Sequence, residues 1–585
     1  MPSGANAPEG VASSLAMAPR TFLRSIGYGP ALAAWLSCFA CAPSGTASSP
    51  PTAASVERAG PSTSEGLARR WLDLSPSLAR ALGLHEYDGR VADYSAAGVE
   101  RAIATYRELN DAIGQARALG PSADDALDLA ALAQVIELGL FDLTEVEAWR
   151  NRPAFYSELF SVEEYIVRDY APKEQRARAM REHFARARAQ VPNIERNLRS
   201  PLSEPVTRTA VDIFKGFGVY LRGDVQSFLE GVSDAALRTE TQALARELAG
   251  EAERVAARLE SVELPRADQS HVLGRERYEH LLAAQEALTT SIEDLEKLAR
   301  DDLARNKAAY EALAARVERS RPPASELLAE ARRVVEGSRS FTVDRGIVSL
   351  PSQPHVEVRE TPPYMRWNSA FLNAGGPFDA PDLAAFYYVT LPDPAWPPKE
   401  QAEYVMSRGE IVSTSVHEVF PGHYLQSLWQ RNAPSFVQKV VGSYSFVEGW
   451  AHYVEQMMID EGFAADVPEA RLGQLSDALL RDCRFVASIG IHVHGMSVAE
   501  AQRLFRDECK QDEANARQQA VRGTFDPGYF AYTLGKLQIL ELRREAERRL
   551  GPRFELRRFH DALLAHGAPP VPLLRERVLA DLGAR

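Results

Sequence analysis

Cysteine is nearly absent from this chain: four residues in 585. Cys38 and Cys41 fall near the start, which leaves only Cys483 and Cys509 for the rest. That excludes a disulfide-built scaffold and a cysteine-rich metal module. One bridge between Cys483 and Cys509, or two buried thiols, both fit. Long apolar runs are missing too. The stretch Tyr28 to Ala40 is too short to cross a bilayer as a permanent helix. Excess positive charge is absent: the net charge is −13 and no long basic run interrupts it, which argues against nucleic acid as a partner. No G-x-S-x-G elbow suggests serine hydrolysis, and no G-x-x-x-x-G-K-[ST] or G-x-G-x-x-G segment suggests nucleotide use.

The chain does carry an export signal. Arg20 and Arg24 precede the apolar stretch, and small residues follow, so residues 1–41 read as a signal segment. Cys41, preceded by Ala40, looks like a bacterial lipoprotein processing site; Cys38 is the weaker candidate. Residues 42–65 are rich in Pro, Ser, Ala and Thr and read as a disordered tether. The expected location is the periplasm or cell envelope, either lipid-anchored to a bacterial membrane or released by plain cleavage near Ala42.

Beyond the tether, residues 66–340 read as an N-terminal helical region. Leu129, Leu132, Ile136 and Leu140 show its recurrent spacing of three and four. Segment 235–336 predicts two or three long helices, broken near Pro265 and Pro322-Pro323. Composition changes near residue 340, where 341–585 begins as a second region. Phe341-Thr342-Val343 and Val356-Glu357-Val358 read as short strands, and 384–391 as a stronger one. Helices are expected over 409–420, 440–460, 470–488, 498–518 and 528–548.

The chemistry concentrates in His417-Glu418-Val419-Phe420-Pro421-Gly422-His423 and, beyond it, Glu448-Gly449-Trp450-Ala451-His452-Tyr453-Val454-Glu455. Histidines four apart share a helix face; six apart they diverge by roughly 120° on a regular helix. Pro421 cannot donate the helical hydrogen bond, and Gly422 tolerates unusual backbone angles. A bulge or unwound turn there would bring His423 back beside His417. Glu448, His452 and Glu455 share a face of a helix that looks largely buried, where charges must be paired or bound to metal. His417, His423 and Glu448 are therefore the expected ligands of one Zn2+ per chain, with His452 as rival third ligand. Glu418 is the expected general base.

The chain resembles the bacterial proteins grouped as domain of unknown function 885, which are similar to gluzincin-type zinc metallopeptidases. The resemblance is carried by the two motifs above, by Gly490-Ile491-His492, by the run Gly523 to Arg543, and more weakly by Gly83 to Arg90. Ser488 and Met496 depart from the pattern around His492. The resemblance implies a mainly α, zincin-like fold: two helical halves around a cleft, with one small sheet beside the metal helix. It also implies that strand 384–391, with Tyr388, aligns a substrate backbone. His492 and Tyr532 are the expected oxyanion donors, Glu455 and His452 stand behind the ligands, and Arg543 and Tyr529 are expected to contact substrate. The resulting reading is a zinc-dependent metallopeptidase acting on short or unstructured peptides. A zinc amidase acting on a small or cell-wall-derived amide, and a non-catalytic envelope-anchored binding lipoprotein, are its rivals.

Overall fold

The computed structural model describes residues 60, 62–362 and 369–584. The signal segment, Cys38, Cys41 and most of the tether lie outside the described residues. The chain is mainly α with one small three-stranded sheet. Among the described residues no helix is long and apolar enough to cross a membrane.

Local signals account for most helix ends. Ser122, Asp234 and Ser291 each accept a hydrogen bond from a backbone N–H in the first turn of the helices Ala123–Thr144, Ala235–Arg258 and Ile292–Ala314. The breaks expected near Pro265 and Pro322-Pro323 are present. Two expectations fail. Phe341-Thr342-Val343 is helical, the last turn of Leu327–Asp344, because Val334, Val335, Ser338 and Thr342 continue one buried face. The expected helix 498–518 is two helices, Val498–Asp507 and Glu513–Phe525. Asp512 caps the second, and Cys509 between them is bonded to Cys483.

The sheet has the order β1 (Val356–Glu360), β3 (Ala385–Val389), β2 (Ala370–Asn373). β1 runs parallel to β3 and β2 antiparallel to it. All five residues of β3 are buried. Ala385, Tyr387 and Val389 point into one hydrophobic core, Phe386 and Tyr388 into another. Four such cores hold the molecule together, and each draws side chains from both sides of residue 340. The two regions read from composition therefore do not have separate cores.

Five helices build the site: α1 (Arg408–Glu418), α2 (His423–Arg431), α3 (Tyr444–Asp460), α4 (Ala470–His494) and α5 (Ala531–Leu550). α3 and α5 cross at two glycines. A Cβ on Gly449 would fall 2.5 Å from Gly535 Cα, and one on Gly535 would fall 1.8 Å from the Ser445 carbonyl oxygen. No other residue fits either position without separating the helices.

A buried carboxylate, Glu286, anchors the start of α3. It accepts from the Ser445 backbone N–H at 3.2 Å, from the Ser445 hydroxyl and from Gln285 Nε2 at 2.9 Å. Burial outweighs these bonds and raises its pKa from 4.5 to about 7. A carboxyl group raised on folding keeps its proton in the native state while the unfolded chain releases it. Stability is therefore expected to fall by about 3 kcal/mol as pH rises from about 4.5 through about 7. Chemical denaturation across that window, wild type against Glu286→Gln, should show that slope flattened in the variant.

Candidate metal centre

α1 starts with a full capping box, Ser407 and Glu410 each bonding the other's backbone N–H. It stops at Glu418, two residues before the cis Phe420–Pro421 bond. The chain then makes one wide turn: Gly422 N–H donates to the Val416 carbonyl at 3.0 Å, and Leu425 N–H to that of Val419 at 3.3 Å. α2 begins at His423 itself. The helix is thus broken, not bulged, and ends earlier than the expected 409–420. The expected consequence does follow. The His417 and His423 rings come to 4.6 Å between centroids, with planes at 84°. Gly422 makes this turn sterically: a Cβ there would sit 1.8 Å from the His417 carbonyl oxygen.

α3 closes the arrangement. Glu448 presents Oε2 at 3.5 Å from Nε2 of both His417 and His423. Two residues on, Trp450 Nε1 donates to the Pro421 carbonyl at 2.9 Å and holds the turn in place. His417, His423 and Glu448 each offer one donor atom, all within 4.8 Å of one another. The Glu448 Oε2 atom is buried and has no hydrogen-bond partner. Separations of 3.5 Å exceed the 2.7–2.9 Å typical of charge-assisted hydrogen bonds. They match donors arranged tetrahedrally around zinc, which at bonds of about 2.0–2.1 Å stand about 3.4 Å apart. The donor set therefore fits a zinc ion. Electrostatics agree. Burial opposes charge on His417, yet the facing carboxylates of Glu448 and Glu455 raise its pKa to about 10. Burial likewise opposes charge on Glu448, yet the two histidines hold it well below the carboxylate range. This pocket favours positive charge.

A buried polar network supports the ligands. Glu455 accepts from His417 Nδ1 at 2.6 Å, which leaves Nε2 free to ligate, and from His452 Nδ1 at 3.0 Å. Arg481 of α4 pairs with Glu455 at 2.9 Å. Despite the cost of burial, Arg481 and His452 keep Glu455 ionised, below its usual range. Burial drops His452 to about 3, so it stays neutral behind the ligands, as expected of it. Sequence reasoning missed Arg481. Its signal was there: Asp477, Arg481 and Arg484 recur at helical spacing along a helix most of whose residues are apolar or small.

Glu418 is half-buried, and its Oε2 accepts from the Leu372 N–H of β2 at 2.9 Å. In the β2–β3 register Thr390 N–H bonds the Ser369 carbonyl, so Phe371 and Asn373 form the bonded pairs and Leu372 faces away from β3. The strand beside the metal helix is therefore β2. The expected 384–391 strand, observed as β3, is paired on both sides and has no free edge.

The other expected residues divide. Tyr532 lies on α5 against Tyr444 and within electrostatic reach of Glu448, so it borders the same cluster. His492 does not. It is fully buried, its Nε2 bonds the Gly523 carbonyl at 2.7 Å, and burial lowers its pKa to about 3. Eleven residues past Arg481, it lies about 16 Å further along α4. Arg543 bonds the Tyr453 hydroxyl at 3.1 Å and Glu547 at 2.9 Å, on the other side of α3, and is not available to substrate. Tyr529 is 0 % exposed and Tyr388 lies in a core; neither contacts a cleft.

The molecule is thus a mainly α protein in which a broken helix and its neighbour converge two histidines and a glutamate. The chain belongs to the family described as bacterial protein of unknown function (DUF885), whose model matches residues 76–578. No curated protein matches it. Among solved structures it is similar to a "putative lipoprotein of unknown function" from Shewanella oneidensis. That likeness has a TM-score of 0.73 and 24% identity, and covers 88% of this chain and 98% of the other. It is also similar to a "putative lipoprotein" from Colwellia psychrerythraea, with a TM-score of 0.71, 17% identity, and coverage of 89% and 99%. These likenesses show a shared fold.

Gly422→Ala should force the turn apart. We expect a loss of about 1–3 kcal/mol in chemical denaturation, with an unchanged far-ultraviolet helix signal.

Proposed function

We propose that the protein is a zinc-dependent hydrolase that cleaves amide bonds, most naturally as a metallopeptidase. The observation that carries this reading is the unpartnered Glu448 Oε2, 3.5 Å from two imidazole nitrogens, with the spare carboxylate of Glu418 on the adjoining residue. His417, His423 and Glu448 would hold the ion. Bound there, zinc would acidify a water and polarise a carbonyl.

The chain's own groups do the rest. Glu455 accepts the Nδ1–H hydrogen bond of His417 and fixes its ring. Glu418 accepts a proton from the attacking water and passes it to the leaving amine. Tyr532 is the remaining candidate to donate to a developing oxyanion. The edge of β2 favours a peptide over a small amide. Leu372 N–H points to Glu418, and the neighbouring Asn373 side-chain amide is buried without a partner, so an extended backbone laid there would meet donors beside the base. Retention of Glu418 weighs against a binding-only role, which needs no base. The lipoprotein descriptions of the two similar structures support export and anchoring, through Cys41 in preference to Cys38.

Metal analysis and a peptide-library cleavage assay on the same samples test this reading. Wild type should carry about one zinc per chain and cleave. Glu418→Gln should keep the zinc and lose roughly 10²–10⁴-fold in kcat, and His423→Ala should lose the zinc. A wild-type chain that takes up no zinc after reconstitution would sink the proposal.

A further inference from the structure

Among the described residues, one buried cation beside the cluster has no counter-ion. Arg484 lies on α4 three residues after Arg481, about 4.5 Å further along the axis. It is 8% exposed. Its Nε donates to Gln519 Oε1 at 2.9 Å, and among the described residues no carboxylate pairs with it. Its two basic neighbours are both satisfied: Arg481 pairs with Glu455 at 2.9 Å, and Arg522 with Asp526 at 2.8 Å. Burial, then repulsion from Arg522 and Arg481, lowers the Arg484 pKa. A buried guanidinium between two others, without an acid of its own, is costly unless something anionic completes it.

Among the described residues neither Nη atom donates to protein, and both keep some exposure to solvent. The Tyr532 ring packs 4.7 Å from the Arg484 guanidinium and 5.7 Å from that of Arg481, and Arg481 reaches 3.2 Å from His417 Nδ1. From Arg481, which touches the His417 ring, to Arg484 is about 4.5 Å along the α4 axis. An extended peptide covers that in one or two residues.

We infer that Arg484 binds a carboxylate of the substrate, placed one or two residues beyond the scissile bond, through the planar guanidinium fork that no protein acid occupies. The inference rests on the hydrolase reading for where that bond lies, and it narrows the substrate class. Short peptides or N-acyl amino acids with a free carboxylate near the cleaved amide are favoured over the interior of long chains. Arg543, engaged elsewhere, leaves this role to Arg484.

The test is calorimetric binding of acetyl-tetraalanine with a free C-terminal carboxylate and of the same peptide as its C-terminal amide. It uses the full chain carrying Glu418→Gln, reconstituted with zinc, so that the peptides stay intact. The acid should bind at least about tenfold more tightly, the size of a charge-assisted bidentate contact. Arg484→Met should bring the two peptides within about twofold of each other. Arg484→Lys, which keeps the charge and loses the fork, should show a reduced but real preference; it decides the matter if the methionine variant does not fold. Equal binding of both peptides by the Arg484 protein overturns the inference, as does a preference undiminished in Arg484→Met, or in Arg484→Lys where that variant decides. Cleavage by the wild type without acid preference removes the Arg484 assignment and leaves the hydrolase intact. Acid preference in a chain that never cleaves keeps the anion site and removes the hydrolase.

Discussion

Everything at this site depends on one steric fact: two histidines six residues apart can face a common point only if the helix between them stops. The chain stops it with Pro421 and re-aims it with Gly422, whose missing side chain lets the backbone pass against the His417 carbonyl oxygen. The second motif then serves the first. Glu448 supplies the third donor, Gly449 lets α3 lie close enough on α5, and Trp450 ties its indole N–H to the Pro421 carbonyl. Three consecutive residues thus act on chemistry, helix approach and turn geometry, which is why the two motifs read as one device.

The site is also an electrostatic arrangement that a helix surface could not sustain. Glu448 and Glu455 both approach His417, from opposite nitrogens, inside the protein. Two buried carboxylates on one imidazole would be unstable alone. Arg481 offsets one, and the other is left facing the space between two ring nitrogens. The arrangement assigns the nitrogens distinct tasks. Nδ1 is fixed by Glu455, and Nε2 points to the open position. Placed this way, the histidine needs no adjustment to accept a cation.

How much of this was legible varies with the range of the interaction responsible. The convergence of His417, His423 and Glu448 could be read because residue type and spacing constrain it locally, and the helical N-terminal region because its periodicity repeats over many turns. The break at Glu418 was signalled by Pro421-Gly422, although its form, a stop and a restart, depends on packing under Trp450. Errors came where a distant partner decides. Phe341-Thr342-Val343 has strand-like residues, yet the buried face of its helix overrides them. Strand 384–391 was recognised by composition, but composition cannot tell a central strand from an edge, and the edge is β2. His492 sits in a motif and is spent on the Gly523 carbonyl. Arg481 and Arg484 sit in no recognised motif and border the site.

The change of composition near residue 340 is a change of secondary structure, not of folding unit. Tyr388 and Phe386 pack with helices from the first region, and Leu127, Val334 and Val335 pack with the helices that carry His417, His423 and Glu448. The sheet is the partition: alternate residues of β3 enter two different cores, so β3 is fixed from both faces while β2, at its edge, meets Glu418. A carboxylate held by a strand whose neighbour is clamped between two cores is positioned by the whole molecule. The same logic bears on Arg484. Along α4, Arg481 has been given an acid from α3 and Arg484 has not, although both are buried beside Tyr532. A fold that pairs buried Glu455 with Arg481 and buried Asp379 with Arg168 does not leave one guanidinium open through lack of acids. The open fork is best understood as half of a contact whose other half arrives with the substrate.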